Sequence, residues 1–135
     1  MRIAKSKRGI FEPIQTENDV LGAIRTLLEA NGARVFRVVE RIPWGKTKSE
    51  PGIPDLIVIW PEKIVRYEKP FPTEIISRTS IVSFVEVKRP GGKLRPAQKL
   101  WIEQAQADGV ICFMADSVEA MVSEFKKYGI EVKGL

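Results

Sequence analysis

An apolar run at residues 81–87 ends in Glu86-Val87-Lys88, and this constrains the chain more than any other feature. A run rich in Ile, Val and Phe reads as a buried strand, here over residues 81–88. Alternate side chains of a strand share a face, so Glu86 and Lys88 point the same way, roughly 6.6 Å apart. They continue the face of Val82 and Phe84, so both are expected to point towards the core. Charge on an inward face is costly unless it is paired or metal-bound. An ion pair within the strand is one solution and a bound cation is another.

A second run, Leu56-Ile57-Val58-Ile59-Trp60, opens immediately after the tetrapeptide Gly52-Ile53-Pro54-Asp55. An aspartate after proline is an ordinary turn residue. Alone it reads as that turn residue; paired with Glu86 and Lys88, at the start of a strand, it reads as a metal ligand. Two acids and a lysine on the exits of two neighbouring strands can hold a divalent cation, a water and a phosphate. That is equipment for metal-dependent phosphodiester cleavage. The chain has no histidine. This excludes a Ser-His-Asp triad, a Cys-His pair, a histidine general base and histidine-ligated zinc. Hydrolysis would have to run on carboxylates, lysine and a hard, oxygen-liking metal. Cys112 is the single cysteine, set in Val110-Ile111-Cys112-Phe113-Met114, and reads as a small core residue.

At 135 residues the chain is long enough for one domain with a substantial core. Residues 1–15 show no periodicity and read as a basic N-terminal arm. Residues 16–135 read as one domain. Thr16 is a good N-cap with Asp19 three residues on, and Val20, Leu21, Ile24, Leu27 and Leu28 form the apolar stripe of a helix that Asn31-Gly32 ends. Residues 33–39 read as a strand. Residues 43–54 are a Gly/Pro-rich basic loop with Trp44, Lys46 and Lys48. The twenty residues 61–80 read as an extended insertion between two core strands, with a little strand at residues 63–67. After the Pro90-Gly91-Gly92 turn, Pro96 suits the first turn of a helix running to Asp108. Residues 110–114 read as a buried strand, and Ser117 caps a last helix to Tyr128. Residues 130–132 are expected to add an edge strand. The order is αβββαβα. The pattern predicts an α/β fold with a mixed sheet, a three-strand meander joined by one parallel strand through a helical crossover.

Two further polar residues sit on apolar faces. Glu17 precedes Val20, Leu21 and Ile24 by three, four and seven residues, so an acid heads the buried stripe. It either joins the other acids or complements the helix dipole. Gln98 shares a face with Trp101, Ile102 and Ala105. It either bonds the acidic cluster and the nucleophilic water or satisfies a backbone carbonyl.

Charge is unevenly placed. The net charge is +5, with 22 basic and 17 acidic residues. Residues 1–8 hold Arg2, Lys5, Lys7 and Arg8 and no acid, leaving 18 basic residues against 17 acidic in the rest of the chain. Between Glu86 and Lys99 there are five basic residues, Lys88, Arg89, Lys93, Arg95 and Lys99, and one acid. A basic face beside an acidic pocket suits a phosphate backbone passing a metal. Arg89, Lys93 and Arg95 flank the glycine turn and can grip phosphates, and with Lys99 and the loop lysines Lys46 and Lys48 they are expected to contact a nucleic-acid backbone; Trp44 either stacks on a base or, the better reading, packs half-buried in its loop. No apolar run approaches a membrane span, and the N-terminus lacks the apolar stretch of a signal peptide, so an intracellular protein is expected.

Gly52-Ile53-Pro54-Asp55, Glu86-Val87-Lys88, Leu94 and Gln98, in that order and spacing, resemble the VRR-NUC family of the PD-(D/E)XK nuclease superfamily. The closest stretch runs from Val85 through Pro90-Gly91-Gly92 to Gln98, and the likeness extends from Glu17 to about Phe125. The resemblance implies that Asp55 and Glu86 bind Mg²⁺ or Mn²⁺ with the help of the Val87 carbonyl. It implies that Lys88 orients the attacking water and stabilises developing negative charge. Glu17 corresponds to the first-helix acid and Gln98 to the helical glutamine. Stand-alone members resemble viral and bacterial Holliday-junction resolvases, which tend to be homodimers. The expectation is therefore a metal-dependent, structure-selective DNA endonuclease. A non-catalytic nucleic-acid-binding module on the same fold, or a nuclease subunit needing a partner for specificity, are the alternatives.

Overall fold

The computed structural model describes residues 3–5, 11–13, 15–38, 52–67 and 75–134, with side chains for 15–38, 52–61 and 80–134. Two short strands, β1 (Ile3–Lys5) and β2 (Phe11–Pro13), pair antiparallel within the basic N-terminal segment. The αβββαβα order then follows as α1 (Glu17–Ala30), β3 (Arg34–Arg37), β4 (Leu56–Tyr67), β5 (Ile75–Val87), α2 (Pro96–Ala107), β6 (Ile111–Ala115) and α3 (Val118–Lys127). The main sheet has the order β3-β4-β5-β6. Its first three strands are antiparallel, and β6 is parallel to β5 across the α2 crossover. This is the mixed sheet that the sequence pattern predicts.

Helix α1 starts at a closed capping box. Thr16 Oγ1 accepts from the Asp19 N–H at 3.1 Å, and Asp19 Oδ2 accepts from the Thr16 N–H at 2.9 Å. Those bonds hold the Asp19 carboxyl below its usual range. The stripe Val20, Leu21, Ile24 and Leu28 is buried.

The sheet is covered on both faces, and the alternation of β5 assigns its residues to one side or the other. Ser83, Val85 and Val87 face the larger core with Leu56, Val58, Trp60, Phe113 and Ala115, under α1 and α3. Phe84, Glu86 and Lys88 take the opposite face, where α2 closes a smaller cluster of Ile102, Ala105 and Cys112. The expectation that Glu86 and Lys88 point at the core is thus refined. They lie beneath α2, and Val82 on the same face stands 46% exposed because α2 does not reach it. Ser83, buried on the core side of β5, donates to the Val58 carbonyl at 3.1 Å.

Two expectations are corrected. Much of the 61–80 stretch is strand: β4 runs on to Tyr67 and β5 begins at Ile75. Between Trp60–Ile81 and Lys63–Thr79 the register shifts, with two residues of β4 against one of β5. Pro61 falls there. It lacks the N–H that a regular ladder needs, and a bulge accommodates it without ending the strand. Because β3 pairs only as far as Ile59 and β6 only from Ser83, the rest of the hairpin is a two-stranded ribbon. It leaves the sheet at the end opposite Asp55 and Glu86. The second correction is at the C-terminus, where residues 130–132 form no strand. Ile130 and Val132 are buried, but the backbone pairs with a side chain. Asn31 accepts from the Lys133 N–H and donates to the Lys133 carbonyl, both at 2.8 Å. That amide takes the place of a neighbouring strand.

Phe125 of α3 joins the layers. Its ring meets Trp60 edge-on at 5.3 Å and Phe113 edge-on at 4.9 Å. Phe125→Ala is expected to cost about 3–5 kcal/mol in urea denaturation. Leu100→Ala, on the exposed side of α2, is expected to stay within about 0.5 kcal/mol.

Candidate active site

Four elements converge where β4 begins and β5 ends. Leu56 is opposite Val85 in the antiparallel pair, so Asp55 and Glu86 stand side by side at one end of the sheet. Glu17 opens α1, which packs against β3 and β5. One carboxylate oxygen from each of Glu17, Asp55 and Glu86 lies within 4.8 Å of the other two. The first-helix acid, for which spacing alone left two readings, therefore belongs to the cluster geometrically. Asp55 is held in place by a bond across the strands: its Oδ2 accepts from the Val87 N–H at 2.9 Å.

Glu86 is the most buried of the three, with 2% of its surface exposed. Its Oε1 accepts from Gln98 Nε2 at 3.0 Å and lies 3.5 Å from Lys88 Nζ. Its Oε2 has no hydrogen-bond partner among the described residues. Burial raises the Glu86 carboxyl from an ordinary 4.5 to about 8. The neighbouring Asp55 charge adds to the rise, and the Lys88 ammonium works against it.

Gln98 is the third residue of α2. Its Oε1 accepts from the Arg95 N–H at 2.8 Å, which turns its amide nitrogen towards Glu86. The glutamine thus serves the helix terminus and the acid at once. Its backbone partner is an N–H, not the carbonyl that the pattern allowed.

Gly52 explains why the loop before Asp55 begins as it does. It adopts φ +87°, and a Cβ there would collide with the Ala97 carbonyl oxygen and stand 2.5 Å from its carbon. The loop carrying Asp55 therefore rests directly on the first turn of α2, the turn that carries Gln98. Only glycine permits both the conformation and the contact.

Arg89, Lys93, Arg95 and Lys99 are exposed around this end of the molecule. Asp116, following β6, anchors their turn by accepting from the Gly91 N–H at 3.2 Å. Lys46, Lys48 and Trp44 lie outside the described residues. Cys112 sits beneath α2 with its thiol pushed up to about 12 by burial and then by the nearby Glu86, which makes it unreactive. Among the described residues no helix is long and apolar enough to cross a membrane.

A family model for the VRR-NUC domain matches residues 2–119. The chain belongs to the VRR-NUC family. This is a nuclease domain family of PD-(D/E)XK type, and the match takes in the two N-terminal strands and the elements from α1 to β6, ending at the start of α3. No curated protein and no solved structure matches the chain. For a VRR-NUC domain, the convergence of Glu17, Asp55 and Glu86 is compatible with divalent-metal binding. The donor set is all oxygen, which fits a hard cation. The unpartnered Glu86 Oε2 fits one too, since a buried carboxylate oxygen without a donor is otherwise costly.

An acid whose folded pKa exceeds its unfolded one keeps a proton that the unfolded chain releases. Folding stability therefore falls as pH rises from 4.5 to about 8 through Glu86. A divalent cation needs the ionised form, so its stabilising effect should grow across the same window. Thermal melts with and without Mn²⁺ over that range are expected to diverge with rising pH, and Glu86→Gln should flatten the divergence.

Proposed function

We propose that this VRR-NUC domain is a Mg²⁺- or Mn²⁺-dependent endonuclease acting on DNA, most specifically on branched DNA such as a four-way junction. The observation that carries the reading is the three-carboxylate cluster with an ammonium group beside it, Lys88 Nζ at 3.5 Å from Glu86 Oε1. Asp55 and Glu86 would hold the cation, with Glu17 completing the acidic set and the Val87 carbonyl adjoining it. A cation bound there lowers the pKa of a water and neutralises charge on a phosphate.

The protein groups divide the remaining work. Gln98 and the Val87 N–H fix the orientation of Glu86 and Asp55, so little reorganisation is needed when a phosphate arrives. Lys88 is buried and tethered, and its ammonium can both orient the water and stabilise the negative charge that develops on the phosphate. Arg89, Lys93, Arg95 and Lys99 offer exposed cations to the flanking backbone. With few base-reading side chains in evidence, preference would come from DNA shape. Symmetric cleavage of a junction by so small a chain requires two copies related by an isologous interface, so a homodimer accompanies the resolvase reading.

Asp55→Ala and Glu86→Ala are expected to abolish cutting while DNA affinity stays equal or improves, since each removes negative charge near phosphates. Lys88→Ala is expected to lower the single-turnover rate by roughly two or more orders of magnitude. Gel shifts and cleavage of a labelled four-way junction, a flap and a linear duplex, with Mg²⁺, Mn²⁺ or EDTA, check these outcomes on the same preparations. Loss of binding together with cutting in folded Asp55 and Glu86 variants would mark a structural role. A monomer that cuts duplex and junction equally would leave a nuclease without the resolvase specificity.

A further inference from the structure

We propose that Arg37 is a phosphate-binding residue of this site, gripping the nucleic-acid backbone on the flank of the carboxylates away from Lys88 and Arg89. The proposal rests on the nuclease reading above and adds a contact to it. Arg37 ends β3, and its Cα is in register with Leu56, the residue after Asp55. The next residue, Val38, donates its N–H to the Asp55 carbonyl at 2.7 Å. The arginine's backbone is therefore tied directly to the backbone of a cluster acid. Its guanidinium is tied to the neighbour of another: Arg37 Nη2 donates to Asn18 Oδ1 at 3.4 Å, and Asn18 follows Glu17.

Two independent links thus set one exposed arginine a single residue away from each of two clustered acids. Across the sheet, Val38, Asp55 and Glu86 stand in one row, and Arg37 lies one residue back, in register with Leu56 on the sheet face that α1 covers. Lys88 and Arg89 continue from β5 on the far side. Arg37 thus stands on the α1 side of this end of the sheet, beside Asn18, and Lys88 on the α2 side, so cations lie on both faces, as a backbone passing across the cluster would require. A guanidinium has five N–H donors in a planar fork suited to phosphate, and the bond to Asn18 takes one.

Arg34 shows what an arginine on this strand does otherwise. Three residues earlier, in register with Ile59 and further along the sheet from the acids, it lies over the Phe36 ring, 5.4 Å from its centroid. A cation there shields an edge strand. Arg34 thus supplies a matched control, equal in charge and on the same strand but away from the carboxylates.

The test compares wild type, Arg37→Ala, Arg37→Lys and Arg34→Ala, each checked for folding by thermal melt. Binding to a labelled four-way junction is measured in EDTA over a range of salt, and junction cleavage with Mn²⁺ is followed under single-turnover conditions. Arg37→Ala is expected to weaken binding and to reduce the slope of log affinity against log salt by about one. Arg37→Lys should restore the slope, and Arg34→Ala should leave it unchanged. A wild-type protein that cuts DNA, with Arg37→Ala keeping the wild-type slope or Arg34→Ala losing as much, would overturn the proposal and leave the nuclease reading standing. A wild-type protein that neither binds nor cuts DNA would remove both.

Discussion

The burial of Glu86 is the constraint around which the rest of the structure is arranged. A carboxylate beneath a helix is a costly object unless its charge is neutralised or its oxygens are bonded. Here Gln98 and Lys88 share one oxygen, while the other has no partner among the described residues. The group responds by holding its proton far above the usual carboxylate range. Such a side chain is poorly suited to supporting a fold and well suited to accepting a cation, which would supply the missing partner and favour the ionised form.

Each element around it follows from that requirement. The β4–β5 antiparallel pair sets Asp55 beside Glu86, and the Val87 N–H aims its carboxylate. The α2 crossover, needed to make β6 parallel to β5, delivers Gln98 to the same point. Gly52 lets the Asp55 loop rest on the first turn of that helix, so the positions of Asp55 and Gln98 are set against each other. The capping box at Thr16 fixes where α1 begins and hence where Glu17 stands. The fold thus positions its charged groups through backbone contacts, and the exposed arginines and lysines are added at the rim.

Where sequence alone was informative, the signal was local. The apolar stripe after Thr16 followed a short-range pattern, while the charges closing the β5 run and the glutamine on the apolar face of α2 broke one. What escaped was decided by tertiary pairing. Arg37 sits in an unremarkable edge strand, and only its register with Leu56 and its reach to Asn18 bring it to the acids. The continuation of β4 past Pro61, within the stretch read as an insertion, depends on a bulge, which involves the partner strand and cannot be read from one segment. Residues 130–132 have strand-like composition, but the backbone just beyond them, at Lys133, is bonded by the Asn31 side chain 102 positions away. The face of Glu86 was half legible: its alternation was evident, but not that a second, smaller core under α2 would cover it.

The central claim is that Asp55 and Glu86 gather a divalent cation at the mouth of the sheet. Anomalous diffraction from crystals grown with Mn²⁺ tests it most directly. The account predicts an anomalous peak within coordinating distance of the Asp55 and Glu86 carboxylates and next to the Val87 carbonyl, absent in Glu86→Gln. Crystals with Mn²⁺ bound only at surface acids, and none between Asp55 and Glu86, would contradict it.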